Sequence, residues 1–125
     1  MQILHLEDDG PLRDILKVAL IAANPELEMQ QFISSDEVVD YLASHLKDVD
    51  LFILDIRVPG KLDGMGVAQK IRDMGCEKPI VVTSAYQKPS NEVLKTVKIT
   101  WMPKPWHILD AAQKLLPMAK GQTVK

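Results

Sequence analysis

The chain alternates between two hydrophobic patterns, and this alternation constrains its fold more than any other feature. Short, mainly apolar segments typical of buried strands are each followed by a stretch with apolar residues at helical spacing. The predicted strands lie at 3–6, 27–33, 51–54, 80–84 and 100–102. A βα unit repeated five times predicts a three-layer α/β sandwich, with a parallel sheet and right-handed crossovers.

Local signals mark the helix boundaries and the end of the domain. Ser34 and Glu37 fit a capping box at the start of the second predicted helix. Gly75 is placed to end the third helix, and Pro89 and Ser90 open a short fourth one. The 125 residues suit one domain, which we assign to residues 1–120, with 121–125 predicted to be a flexible tail.

Composition excludes several classes of protein. No apolar run approaches the roughly 20 residues of a membrane span, and no charged-then-apolar leader opens the chain, so no membrane contact is expected. A lone Cys76 forms neither an internal disulfide nor a cysteine zinc site, which predicts a reducing, cytoplasmic setting. The net charge of −2 and the 5% aromatic content do not favour direct nucleic-acid binding.

The small net charge conceals a strong division along the chain. Residues 1–55 carry 3 basic and 12 acidic side chains, whereas residues 56–125 carry 12 basic and 5 acidic ones. Such asymmetry predicts two chemically different sides of one domain.

Polar side chains follow four of the five predicted strands. The carboxyl ends of parallel strands meet at one edge of the sheet, where ligands bind. We therefore expect these side chains to converge, except Asp9, which is interpreted as the cap of the first helix. They are Glu7, Asp8 and Asp9 after the first strand, Asp55 after the third, Ser84 at the end of the fourth and Lys104 after the fifth.

The chemistry of this set favours a metal ion and a phosphoryl group. Crowded carboxylates repel one another unless one is protonated or a cation lies among them. All-oxygen ligation suits a hard ion such as Mg²⁺. The ammonium of Lys104 and the hydroxyl of Ser84 suit phosphate oxygens, and a carboxylate beside the metal can act as the nucleophile.

At these residues the chain resembles the receiver domain of two-component response regulators, over about residues 2–118. The resemblance, which is to chemotaxis-regulator-like receivers, implies a flavodoxin-like fold with five helices and a five-stranded parallel sheet of order 2-1-3-4-5. The matching segments are 3–9, 54–60, 63–64, 79–85 and 104–106.

The resemblance implies a role for each acidic residue and for the loop after the third strand. Asp55 corresponds to the phosphoacceptor and Asp8 to a direct Mg²⁺ ligand, with Glu7 acting through a metal-bound water. The backbone carbonyl of Arg57 corresponds to the remaining protein ligand, and Mn²⁺ is an alternative ion.

The resemblance also implies roles for residues of the fourth and fifth strands. Ser84 corresponds to a switch hydroxyl, and Lys104 to the phosphate-binding lysine, with a cis peptide before Pro105. Trp101 stands at the usual switch tyrosine or phenylalanine position, while Arg57 and Tyr86 are expected to modulate the lifetime of the phosphoryl group.

The chain departs from the common pattern at three places. The loop after Asp55 is one residue longer, which predicts that Lys61 protrudes near the site. The segment from Ser84 to Lys104 is about two residues short, which predicts a reduced fourth helix. Trp101 is larger than tyrosine and lacks its hydroxyl, so either its inward rotation is hindered or it simply packs.

These features predict a phosphoacceptor that receives its phosphoryl group from a histidine kinase or a phosphotransfer protein. Such a chain catalyses its own phosphorylation and dephosphorylation without turning over an external substrate. The alternatives are a receiver-like interaction module that is never phosphorylated, and a small aspartyl phosphatase. A flavin or nucleotide binder lacks support because no glycine-rich loop follows the first strand.

The expected partners follow from the same interpretation. A monomer or a phosphorylation-linked dimer is expected, either standing alone, relaying phosphate or belonging to a larger regulator. An acidic protein partner is predicted for a basic surface around the fourth and fifth helices. That surface contains Lys88, Lys95, Lys98, Lys114 and Lys120.

Overall fold

The computed structural model describes residues 1–86 and 88–121, so four of the five residues of the predicted tail lie outside the described part. Five strands alternate with five helices, and a single 3-10 turn at Leu46–Asp48 follows the second helix. The strands are β1 (Gln2–Leu6), β2 (Glu28–Phe32), β3 (Leu51–Asp55), β4 (Ile80–Ser84) and β5 (Thr100–Pro103). The helices are α1 (Gly10–Ala23), α2 (Ser35–His45), α3 (Gly64–Asp73), α4 (Asn91–Val97) and α5 (Ile108–Ala119).

All neighbouring strands pair in parallel, in the order β2-β1-β3-β4-β5, which confirms the predicted fold and strand order. The register aligns the carboxyl ends of the strands. Leu6 pairs with Leu54, the next residue Asp55 pairs with Thr83, and Ser84 pairs with Pro103. The residues that end or follow the strands are therefore delivered to one edge of the sheet.

Two hydrophobic cores lie on the two faces of the sheet, because successive strand side chains point to opposite faces. Leu4 and Leu54 belong to the core under α2, α3 and α4. Ile3 and Ile53 belong to the core under α1 and α5. Every residue of β3 is buried, as its continuous apolar sequence predicted.

The helix signals in the sequence are confirmed with small shifts. The side chain of Asp9 caps α1 by accepting the Leu12 N–H, and Ser34 and Glu37 form the complete capping box of α2. α4 has only seven residues and begins after its cap Ser90. Within the described residues, no helix is long and apolar enough to cross a membrane.

Candidate active site

Three carboxylates meet at the carboxyl edge of the sheet. Glu7 and Asp8 directly follow β1, and Asp55 is the last residue of β3. One carboxylate oxygen from each lies within 4.8 Å of the others. Glu7 and Asp55 are buried, whereas Asp8 is exposed and opens the cluster to solvent. Three close oxygen donors of negative charge fit a hard divalent cation such as Mg²⁺.

Lys104, which follows β5, adds a positive charge to the three carboxylates. Its Nζ donates to Glu7 Oε1 at 2.5 Å and to Asp55 Oδ2 at 3.1 Å. The lysine is held in place because its own N–H donates to the Ser84 carbonyl at 3.0 Å. The peptide bond to Pro105 is cis, as the resemblance implied. One ammonium faces three carboxylates, so the cluster keeps an excess of negative charge for a further cation.

Burial and crowding change the protonation of this cluster. Burial raises the pKa of Glu7 to about 7, with the hydrogen bond from Lys104 opposing the rise and the charge of Asp55 adding to it. Burial by itself lowers the pKa of Lys104, but the hydrogen bond and charge of Glu7, together with Asp55, outweigh it and raise that pKa. The lysine is therefore a positive charge of the site, whereas additional positive charge nearby favours the ionised form of Glu7.

Ser84, Tyr86 and Arg57 lie on the neighbouring rim of the edge. Ser84 is the buried last residue of β4, and its Oγ accepts the Tyr86 N–H at 3.0 Å. The Arg57 guanidinium carbon lies 4.0 Å from the centroid of the exposed Tyr86 ring, a cation–π contact. The three residues line one cavity of about 440 Å³ together with Lys88 and Ser90, among others.

Trp101 does not join this group. Its side chain is partly buried against the core under α2, α3 and α4. Lys61 lies beside α2: its N–H donates to the Asp36 carboxylate, and it lines a cavity with Asp40 and Lys70. The longer loop is therefore attached to the first turn of α2.

Two features of the site were not predicted from the sequence. Gly64 begins α3 directly against the phosphoacceptor candidate, since a Cβ on Gly64 would lie 2.2 Å from the Asp55 carbonyl oxygen. His5 is fully buried beneath the site, where burial lowers its pKa to about 3 and keeps the ring neutral. The pair Asp63-Gly64 in the sequence was a signal for the close approach of Gly64 to Asp55. A single histidine inside a predicted strand gives no signal that it is buried and neutral.

Comparison with known proteins finds response regulators and their receiver domains. Response regulator MprA of Mycobacterium avium is 31% identical over 108 residues, which cover 85% of this chain and 45% of that protein. The chain spans about half the length of the curated relatives it matches. The Francisella response regulator 1452 receiver domain has a TM-score of 0.81 at 20% identity, covering 96% of this chain and 97% of its own.

A second solved structure shows the same fold. The CheY-like response regulator receiver domain protein of Methanospirillum hungatei has a TM-score of 0.82 at 18% identity and covers 97% of this chain and 94% of its own. Residues 3–111 match the family described as response regulator receiver domain. That match spans most of the chain, including the acidic cluster, β3 and the Lys104 turn, and the chain therefore belongs to the response regulator receiver domain family.

Proposed function

We propose that this receiver accepts a phosphoryl group on Asp55 from the phosphohistidine of a histidine kinase or phosphotransfer protein. The observation that carries the proposal is the contact of Lys104 Nζ with Asp55 and Glu7 beside the exposed Asp8. If Lys104, Glu7 and Asp55 formed only a structural ion pair, the carboxylate of Asp8 beside them would have no role. Nucleophile, cation and metal-binding oxygens at one open edge are the parts that phosphoryl transfer requires.

In the reaction, a carboxylate oxygen of Asp55 attacks the phosphorus atom as the bond from phosphorus to the histidine nitrogen breaks. The imidazole leaves with the bonding electron pair and takes up a proton, and Asp55 becomes an acyl phosphate. Lys104 already bonds Asp55 Oδ2 and can move its ammonium to a phosphoryl oxygen. The Ser84 hydroxyl can donate to another phosphoryl oxygen.

The metal ligands are proposed to be Glu7 through a water, Asp8, Asp55 and the carbonyl of Arg57. When bound there, Mg²⁺, or Mn²⁺ as an alternative, would supply positive charge that offsets the repulsion between the carboxylates and the phosphoryl oxygens. Bound cation also favours the ionised form of Glu7, whose carboxyl is otherwise hard to ionise in its buried position.

In this proposal, Arg57 and Tyr86 modulate the lifetime of the acyl phosphate. Water must reach phosphorus in line with the Asp55 oxygen, and the exposed stacked pair lies on the rim of the same edge. Phosphorylation then shifts a two-state surface near Ser84 and Trp101. A surface of five exposed lysines (Lys88, Lys95, Lys98, Lys114 and Lys120) offers a binding face for an acidic protein.

The test is phosphorylation of the purified chain with phosphoramidate and Mg²⁺, followed by intact-mass measurement. The wild type is expected to gain one phosphoryl group, and the gain is expected to require Mg²⁺. Asp55→Asn abolishes it, whereas the control Asp9→Asn keeps it, because Asp9 caps α1 and asparagine caps as well. Equal labelling of Asp55→Asn would refute the proposal, and absence of both labelling and Mg²⁺ binding would favour a phosphorylation-independent interaction module.

A further inference from the structure

The loop at residues 56–63, here called the β3–α3 loop, is fastened to the first turn of α2. Ser35 is the first residue of α2 and is fully buried. Its N–H donates to the Pro59 carbonyl at 2.9 Å, and its Oγ accepts the Leu62 N–H at 3.1 Å. The Oγ also lies 3.4 Å from the Pro59 carbonyl oxygen. One serine therefore binds the loop at two points, three residues apart.

Two neighbouring contacts strengthen this attachment. Asp36 Oδ1 accepts the Lys61 N–H at 3.3 Å. Gly60 has a φ of +114°, and a Cβ there would lie 2.2 Å from Ser35 Oγ, so only glycine allows the loop to approach so closely. Every residue from Pro59 to Leu62 thus bonds or touches the first two residues of α2.

The beginning of the loop is fixed independently. The Ile56 N–H donates to the Thr83 carbonyl at 3.0 Å, and the Ile56 carbonyl accepts the Gly64 N–H at 2.9 Å. Only Arg57 and Val58 lie between this fixed point and the attachment at Pro59. The direction of the Arg57 carbonyl is therefore set from both sides, because two residues between fixed ends have few backbone conformations.

We infer that Ser35 is a positioning residue of the metal site, which holds the Arg57 carbonyl in place through Pro59 and Leu62. The inference rests on the proposed function, which makes that carbonyl a metal ligand. When the two contacts of the Ser35 hydroxyl with Leu62 and Pro59 are lost, the loop keeps only the backbone bond from the Ser35 N–H to Pro59. The rest of the loop must then be ordered when the ion binds, and this cost weakens Mg²⁺ binding. The Asp55 carboxylate belongs to β3 and keeps its place, so phosphoryl transfer at saturating Mg²⁺ is unchanged.

The test compares Ser35→Ala with Ser34→Ala. Ser34 caps the same helix through the Glu37 N–H, and the Ser34 side chain has no hydrogen bond to the β3–α3 loop. Both variants lose a hydrogen bond of α2, so both lower the melting temperature. Calorimetric titration is expected to give a Mg²⁺ dissociation constant about fivefold to tenfold higher for Ser35→Ala than for the wild type, which is the effect of one hydrogen bond. For Ser34→Ala, the dissociation constant is expected to change by less than about twofold.

Two further readouts separate positioning from general destabilisation. In the metal-free chain, hydrogen exchange of the Leu62 amide is expected to accelerate in Ser35→Ala and not in Ser34→Ala. The labelling rate with phosphoramidate is expected to return to within about twofold of wild type at saturating Mg²⁺, since only the half-saturating concentration rises. If Ser35→Ala does not fold, Asp36→Ala at an exposed position removes the Lys61 bond, and a rise in the Mg²⁺ dissociation constant of about twofold to threefold is expected.

Equal Mg²⁺ affinity of Ser35→Ala and Ser34→Ala would overturn the role of Ser35 while leaving the proposed function intact. A wild type that labels on Asp55 and binds Mg²⁺ is the condition for that comparison. A wild type that does neither would overturn both proposals together.

Discussion

At the scale of single residues, Lys104 does most to define the site. Its ammonium contacts Glu7 and Asp55, which precede it by 97 and 49 residues in the sequence. In the proposed reaction, a divalent cation and this ammonium would share the same carboxylates, so they would compete for negative charge as well as cooperate on a phosphoryl group. The two roles are separable by removing the lysine.

Replacing Lys104 with methionine tests this separation. Mg²⁺ affinity is expected to stay the same or increase, because a competing positive charge is gone. Labelling by phosphoramidate is expected to fall by roughly 100-fold, the usual effect of removing one group that stabilises a developing anion. Calorimetric titration and intact mass report the two quantities, and Lys114→Met, at an exposed position of α5, serves as the control. Weaker Mg²⁺ binding with normal labelling would show that Lys104 serves the metal rather than the phosphoryl group.

At the scale of elements, α3 holds the short helix α4 and its neighbouring loops through one side chain. The guanidinium of Arg72 donates to four backbone carbonyls at 2.8–3.0 Å. A helix of seven residues is unstable alone, so α4 depends on such tertiary contacts. The acceptors are the carbonyls of Cys76, Lys78, Val97 and Lys98.

The variant Arg72→Met is expected to lower the free energy of unfolding by about 2–4 kcal/mol, because several carbonyls lose a charged donor. Lys70→Met, at an exposed position of the same helix, is expected to change it by less than about 0.5 kcal/mol. Urea denaturation measures both. Hydrogen exchange should also accelerate at the Ile99 amide, which bonds the Leu94 carbonyl in the turn after α4. Equal stability of the two variants would contradict the role given to Arg72.

The elements and their ends could be predicted because their signals are local. Ser34 and Glu37 lie three residues apart, and β1, β3 and β4 each carry an apolar run. The strand-end residues of the site were predictable for a topological reason, since parallel strands deliver their carboxyl ends to one edge. The contacts of Arg72 and Ser35 were not, because their partners lie up to 26 and 27 residues away and a lone arginine or serine has no pattern.

The position of Lys61 also depends on contacts between residues that are distant in the sequence. The extra loop residue was visible in the sequence, but its direction depends on Asp36 and on the close approach of Gly60 to Ser35. These are contacts between two different βα units, and no spacing within the loop encodes them. The sequence therefore predicted a protruding Lys61 near the site, but not its place beside α2 with Asp40 and Lys70.

At the scale of the whole molecule, the strand order turns the charge division of the chain into a spatial one. The mainly acidic segment 1–55 contains β1, β2 and β3, which lie together on one side of the sheet. The mainly basic segment 56–125 contains β4 and β5, which lie on the other side. The lysines of the basic surface are exposed, and the ion pair between Lys98 and Glu77 is long at 4.0 Å and solvent-exposed. Such pairs contribute little, so the positive charge of this surface stays available to a partner.

Ion-exchange chromatography tests this polarity. Despite a net charge of −2, the chain is expected to be retained on a cation exchanger at pH 7 and low salt. The double variant Lys95→Gln/Lys114→Gln should elute earlier than Lys17→Gln/Lys47→Gln, although both lose the same charge and all four positions are exposed. Identical elution of the two variants would mean that the charge is not polarised on the surface.

The central claim is that Asp55 carries the phosphoryl group, and chemical trapping tests it most directly. Borohydride reduces an aspartyl phosphate to homoserine, which marks the modified residue permanently. After treatment with phosphoramidate and Mg²⁺, peptide mass spectrometry is predicted to find homoserine at position 55, within the peptide that contains β3. Homoserine at Asp8 or another acidic residue, or phosphate retained on Ser84, would contradict the account.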